Sequence, residues 1–166
     1  MKSKNFLILF LLVLLLCSCG QRDRQDTDQT EKSGQLQSFE QEPRISLYMH
    51  ESGETKELGL EEYLLGVVAA EMDPAWPQEA LAAQAILART FTLERMESTG
   101  GVPQRGTDAS TDVEEFQAYD ESRINDTVRK AVEDTRGEVV VYEGKLIKAW
   151  FFADAGGMTA ASALEG

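Results

Sequence analysis

The sequence has little of what most metalloproteins and thiol enzymes draw on. It contains a single histidine, His50, and two cysteines, Cys17 and Cys19. Thiol–imidazole catalysis, Cys/His zinc sites and disulfide scaffolds therefore lack the side chains they require. Basic charge is also scarce: 16 Lys plus Arg stand against 29 Asp plus Glu, a formal net charge of −13 at pH 7. No basic field is available to neutralise phosphates, which argues against nucleic acid as a partner. Long apolar runs are missing too. The run Phe6 to Leu16 has eleven residues, where a membrane-spanning helix needs roughly 20. What remains is ordinary for a globular protein. With 42% hydrophobic residues a core can form, and 166 residues allow one domain of usual size but hardly two.

Lys2 and Lys4 precede the apolar run, and small or polar residues with a cysteine follow it. That is the layout of an export signal. Leu16-Cys17-Ser18-Cys19 resembles the bacterial lipobox. The resemblance implies that residues 1–18 are a lipoprotein signal peptide and that Cys19 carries a diacylglyceryl group. The protein would then be lipid-anchored on the extracytoplasmic face of the bacterial cell membrane. A plain signal-peptidase cut and an uncleaved anchor are the alternatives. Between Gly20 and Arg44 only Leu36 and Phe39 are large and apolar, too little to order a chain by burial. Residues 19–44 therefore read as the lipidated cysteine and a disordered tether, with an interaction tail as the alternative.

The folded region is expected over 45–166. Ile45, Leu47 and Met49 alternate with Ser46, Tyr48 and His50 in strand fashion, and Ser52-Gly53 supplies turn chemistry for a hairpin or a short strand leading into a helix. His50 falls on the polar side, as a surface residue or a catalyst. Leu60 to Met72 has helical periodicity, with Leu60, Leu64, Val67, Val68 and Glu71 inside one arc of roughly 100 degrees. Asp73-Pro74 ends this helix, and Pro77 opens a second that runs to about Met96, forming a helical hairpin. In the second helix Ala80, Ala82, Ala83, Ala85 and Ala88 permit close packing; Gln84 shares an arc with Ala80, Leu87 and Phe91, while Arg89 lies beside Ala82 and Ala85.

Thr107 to Tyr119 lacks a clear period and suits an irregular segment lining a cleft. Asn125 or Asp126 caps a third helix through Val128, Ala131 and Val132. Val139–Tyr142 and Leu146–Phe152 read as two strands around the Glu143-Gly144 turn. Gly156-Gly157 permits close backbone approach, suiting a ligand-facing loop or a simple tight turn. The fold class is α+β: a helical hairpin and a further helix packed on a small mixed β-sheet, with strands drawn from both ends of the domain.

Glu71 stands out on residues alone, as a carboxyl on an apolar stripe. Burial against apolar neighbours disfavours the ionised form, so such an acid can hold a proton and deliver it as a general acid. Alternatively it turns outward, or meets a cation such as Arg89.

Glu62-Tyr63-Leu64-Leu65-Gly66-Val67-Val68-Ala69-Ala70-Glu71-Met72, Trp76-Pro77, Glu79 to Ala85 and Ala88-Arg89-Thr90 together resemble the stage II sporulation protein D and amidase-enhancer family. The likeness continues in Thr111-Asp112, Gln117-Ala118-Tyr119, Thr135-Arg136-Gly137 and Gly156-Gly157-Met158-Thr159. It implies a cell-wall protein acting on peptidoglycan glycan strands, in sporulation or wall turnover. The activity would be that of a lytic transglycosylase leaving a 1,6-anhydromuramic end. The alternative is a noncatalytic glycan-binding module or amidase enhancer, partnered by a cell-wall amidase or other remodelling proteins. The resemblance places the catalytic acid at Glu71 and has Gln84, Arg89, Gln117, Tyr119, Gly156, Gly157 and Thr159 line or shape the cleft. No cofactor is implied. Some members bind zinc through a histidine and cysteines in the segment corresponding to Thr107–Tyr119, which has neither here, so no metal is expected. The family's His-Ser-x-Ser-Gly-Gly loop reads Phe152-Ala153-Asp154-Ala155-Gly156-Gly157. Members usually continue past this loop, which implies a C-terminally incomplete domain.

Overall fold

A computed structural model describes residues 35–38 and 42–151. Strands β1 (Gln35–Ser38), β2 (Arg44–Met49) and β3 (Glu54–Gly59) precede helices α1 (Leu60–Glu71) and α2 (Gln78–Thr99). Strand β4 (Ala109–Ser110), a 3-10 turn (Glu121–Arg123), helix α3 (Asp126–Asp134) and strands β5 (Glu138–Tyr142) and β6 (Lys145–Leu146) follow.

Local chemistry accounts for most of these elements. Alternation buries Ile45 and Leu47 on one face of β2, and the chain reverses through Ser52-Gly53 so that β3 pairs antiparallel with β2 from Arg44↔Gly59 to Met49↔Glu54. Leu60, Leu64, Val67 and Val68 of α1 are all buried. Pro77, expected as the first helical residue, is instead the N-cap of α2, which begins one position later at Gln78. The helix runs three residues past Met96 and stops where Gly100 takes φ 70, a left-handed conformation that a glycine adopts without a Cβ penalty. Asn125 caps α3, its side chain accepting from the Val128 N–H at 2.9 Å, and Val128, Ala131 and Val132 are buried. Helix α2 packs against α1, α3 and β5, with Leu81, Ala85 and Ala88 in the common core.

The α+β architecture, the helical hairpin and the third helix are as expected, but the strands divide into two three-stranded sheets ordered β3-β2-β4 and β1-β5-β6. β4, only two residues long and inside the segment expected to be irregular, pairs parallel with β2 through Leu47↔Ala109 and Tyr48↔Ser110. β1 pairs antiparallel with β5, and it lies in the stretch expected to be tether. Glu42 and Pro43 also bind the folded region, accepting from the N–H groups of Glu61 and Leu60. Burial-based reading missed this because backbone pairing and a single carboxylate supply the order. The expected strand Leu146–Phe152 is confined to β6. Beyond Ile147, whose N–H still reaches Val140 O, the chain leaves the sheet and Phe151 packs edge-on against Phe91 of α2. Cys19, Gly156, Gly157 and Thr159 lie outside the described residues. Among the described residues no helix is long and apolar enough to cross a membrane.

Candidate functional site

Glu71 is the last residue of α1 and is half-buried. Its Oε1 accepts a hydrogen bond from the backbone N–H of Ala118 at 2.8 Å, while Oε2 has no hydrogen-bond partner among the described residues. The donor arrives because residues 116–120 cross the helical hairpin. Phe116 packs edge-on against Phe91. Gln117 Nε2 donates to Thr92 Oγ1 at 2.8 Å and to the Tyr63 hydroxyl at 3.2 Å. The Tyr119 ring stacks on Tyr63, centroids 5.7 Å apart and planes 9° from parallel. Asp120 N–H then donates to Gly66 O at 3.0 Å.

Gly66 is what lets the crossing sit so low on α1. A Cβ at this position would lie 2.3 Å from Tyr119 Cε2, well inside van der Waals contact. The carbonyls at the end of α1, which have no partner within a helix, are met by Arg123, whose Nη1 donates to Ala70 O at 3.2 Å and Nη2 to Met72 O at 3.4 Å. Asn125 Nδ2 donates to Pro74 O in the turn that follows. One oxygen of Glu71 is thereby fixed by a backbone donor, and the other has no hydrogen-bond partner among the described residues.

Neither neighbouring tyrosine can serve as a base near neutral pH. Burial pushes the Tyr63 hydroxyl well above the usual phenol range, despite the opposing hydrogen bond from Gln117. Tyr119 is raised chiefly by burial and further by its hydrogen bond to Glu121. Both remain protonated.

Glu71 does not meet Arg89. Arg89 is fully buried and its partner is Glu61, at the opposite end of α1. Nε and Nη2 reach Glu61 Oε1 and Oε2 at 2.9 and 2.6 Å, and Nη1 donates to Glu138 O at 2.9 Å. Glu61 Oε1 also accepts from Gly137 N–H at 3.1 Å. The family resemblance has Arg89 lining or shaping the cleft; in the structure its guanidinium is engaged inside the fold. In an antiparallel hairpin the start of α1 comes to lie beside the middle of α2, and the bidentate pair formed there joins α1, α2 and β5. Gln84 is likewise buried, with its Nε2 unpartnered among the described residues, and Gln117 is buried inside the network.

Among the described residues expected at the cleft, other than Glu71 itself, Tyr119 alone is partly exposed, and it borders an open groove with His50, Ser52, Lys56 and Glu121. His50 is exposed, with Nδ1 3.1 Å from Asp112 Oδ2. Reading the sequence did not single out Glu61, Tyr63, Gly66 or Ala118. Tyr63 had a usable signal, since it lies three residues before Gly66 on α1. Ala118 contributes only its backbone and had none.

The model of the family described as stage II sporulation protein matches residues 48–142. Stage II sporulation protein D of Bacillus subtilis is 32% identical over 128 residues, covering 69% of this chain and 37% of that protein. The amidase enhancer of the same organism is 39% identical over 99 residues, covering 60% of this chain and 13% of its own length. A Brachyspira hyodysenteriae protein is 39% identical over 104 residues, 62% of this chain and 27% of that one. The chain thus spans well under two thirds of the length of each of these relatives.

Proposed function

Because the chain belongs to the stage II sporulation protein D and amidase-enhancer family, we propose that it remodels the bacterial cell wall by non-hydrolytic cleavage of peptidoglycan glycan strands, in sporulation or wall turnover. The single observation that carries the reading is Glu71, a carboxyl held through Oε1 by Ala118 N–H with Oε2 unpartnered among the described residues. Protonated Glu71 donates to the glycosidic oxygen as the bond from that oxygen to the muramic anomeric carbon breaks. The 6-hydroxyl of the same muramic residue then bonds to the anomeric carbon and returns its proton to Glu71. The acid is regenerated, a 1,6-anhydro end is formed and no water is consumed. One carboxyl suffices, in contrast to the pair used by most glycoside hydrolases. A lipid on Cys19 would hold the domain at the outer face of the membrane, within reach of the strands.

The likeness to the amidase enhancer favours a second reading, a noncatalytic glycan-binding module that acts on a cell-wall amidase. Mass spectrometry of purified glycan strands after incubation separates the two. The wild-type chain should generate anhydromuramic ends, and Glu71→Gln, which keeps the acceptor for Ala118 but removes the transferable proton, should make them about 100- to 10,000-fold more slowly. No anhydro ends from the wild type, or equal rates from the variant, would defeat the enzymatic reading.

A further inference from the structure

Glu71 sits where a helix holds its side chains least firmly. It is the last residue of α1, and at Met72 the backbone is already extended, with φ −122 and ψ 157. Helix ends fray, and their last carbonyls have no partner within the helix. Helix α1 brings no remedy of its own, since its last turn carries no basic residue. For an acid that must meet one oxygen of a substrate this matters: a misplacement of about 1 Å can cost on the order of 100-fold in rate.

A residue far along the chain supplies what the helix lacks. Arg123 donates from Nη1 to Ala70 O and from Nη2 to Met72 O, so one planar guanidinium spans the residues on either side of Glu71. Its charge also opposes the negative end of the helix dipole. The arginine is delivered by a braced turn. Asp120 Oδ1 accepts from Ser122 N–H and Oγ at 2.8 and 2.6 Å, and Ile124 N–H closes the turn on Glu121 O at 3.3 Å. Beyond it, Asn125 binds Pro74 O through Nδ2 at 3.1 Å while its Oδ1 caps α3. Before it, Ala118 N–H holds the Glu71 carboxyl and Asp120 N–H holds Gly66 O.

Residues 118–125 thus grip both the carboxyl of the acid and the backbone that carries it. We infer that Arg123 is a positioning residue for Glu71, its fork pinning the chain on both sides of the acid and so fixing where the carboxyl meets the glycosidic oxygen. This inference rests on the glycan-cleaving reading.

The test follows anhydro-end formation by the full chain over a range of glycan-strand concentrations, together with hydrogen exchange of its backbone amides. Arg123 is exposed, so Arg123→Ala should keep the fold, with the amides of Val67 and Val68 exchanging as in the wild type. The Ala118 amide should exchange at least about tenfold faster. The kcat should fall about 10- to 100-fold with KM nearly unchanged, because the strand still binds while the acid is misplaced. Arg123→Lys keeps the charge but has no fork to span two carbonyls, so it should recover little of the rate. A loss confined to KM would make Arg123 a substrate contact, full recovery in Arg123→Lys would reduce it to a charge, and faster exchange throughout α1 would reduce it to a structural cap. Each of these overturns the positioning role, as does wild-type behaviour of Arg123→Ala. A wild type that forms no anhydro ends defeats instead the reading beneath it, whatever Arg123→Ala does to exchange.

Discussion

Gly66→Ala should destabilise the protein even though helix propensity alone favours it. Gly66 is in the interior of α1, where alanine in place of glycine gains about 1 kcal/mol. The new Cβ, however, would stand 2.3 Å from Tyr119 Cε2 and 2.7 Å from Cδ2, more than about 1 Å inside a normal carbon contact. The ring has little room to retreat. It stacks on buried Tyr63, its hydroxyl is bonded to Glu121, and the flanking amides of Ala118 and Asp120 are bonded to Glu71 and Gly66 O. Overpacking costs about 1–3 kcal/mol, and a segment tethered on both sides of the clash belongs at the upper end. The net loss should be about 1–2 kcal/mol. In a Tyr119→Ala background the obstacle is gone, so the same substitution should stabilise by up to about 1 kcal/mol. Urea unfolding of the four species of this double-mutant cycle reads the coupling directly. Displacing the crossing also disturbs the amide on Glu71, so formation of anhydro ends should fall along with stability. An additive cycle, or Gly66→Ala more stable than the wild type, would refute the close-approach argument.

Arg89→Met should cost about 3–5 kcal/mol, because it leaves the Glu61 carboxylate buried without its cation; denaturant midpoints should show much of the loss recovered in Arg89→Met/Glu61→Leu. Unchanged stability with lost glycan binding would return Arg89 to the cleft. The Glu115 carboxyl is held below its ordinary value of 4.5 chiefly by its hydrogen bond from Arg105. A depressed folded-state value means stabilisation that is fully present above the unfolded value and lost as pH falls through the folded one. Tm should therefore drop more steeply between about pH 5 and pH 3 in the wild type than in Glu115→Gln, and parallel curves would contradict it. Cys19→Ala should release the protein from the membrane or leave an unprocessed precursor; unchanged lipid labelling would remove the proposed anchor.

Several features were legible because their causes are local. The stripe of Leu60, Leu64, Val67 and Val68, the Ser52-Gly53 turn, the Asn125 cap and the Asp73-Pro74 break each depend on neighbours within a turn or two, and the structure has the corresponding helices and hairpin. The strands were read less well. β4 has two residues and no pattern of its own, and the Leu146–Phe152 expectation failed because Phe151 finds Phe91 instead of continuing a ladder. At the candidate site the acid and its apolar stripe could be read from spacing, since both lie on one helix. Its orientation could not be.

Helix periodicity put Glu71 on the apolar arc of α1 without settling whether it turned outward, and composition determined that thiol and imidazole chemistry had almost nothing to work with. Tertiary structure decided the rest: that Arg89 belongs to Glu61 and not to Glu71, that Gln117 is an interior brace, and that the amide of Ala118 holds the acid. Each of these contacts joins residues far apart in the chain, and Ala118 acts through a backbone group that every residue except proline possesses. Side-chain identity records which groups are available, while the packing of α1, α2 and the 116–120 crossing selects which of them meet.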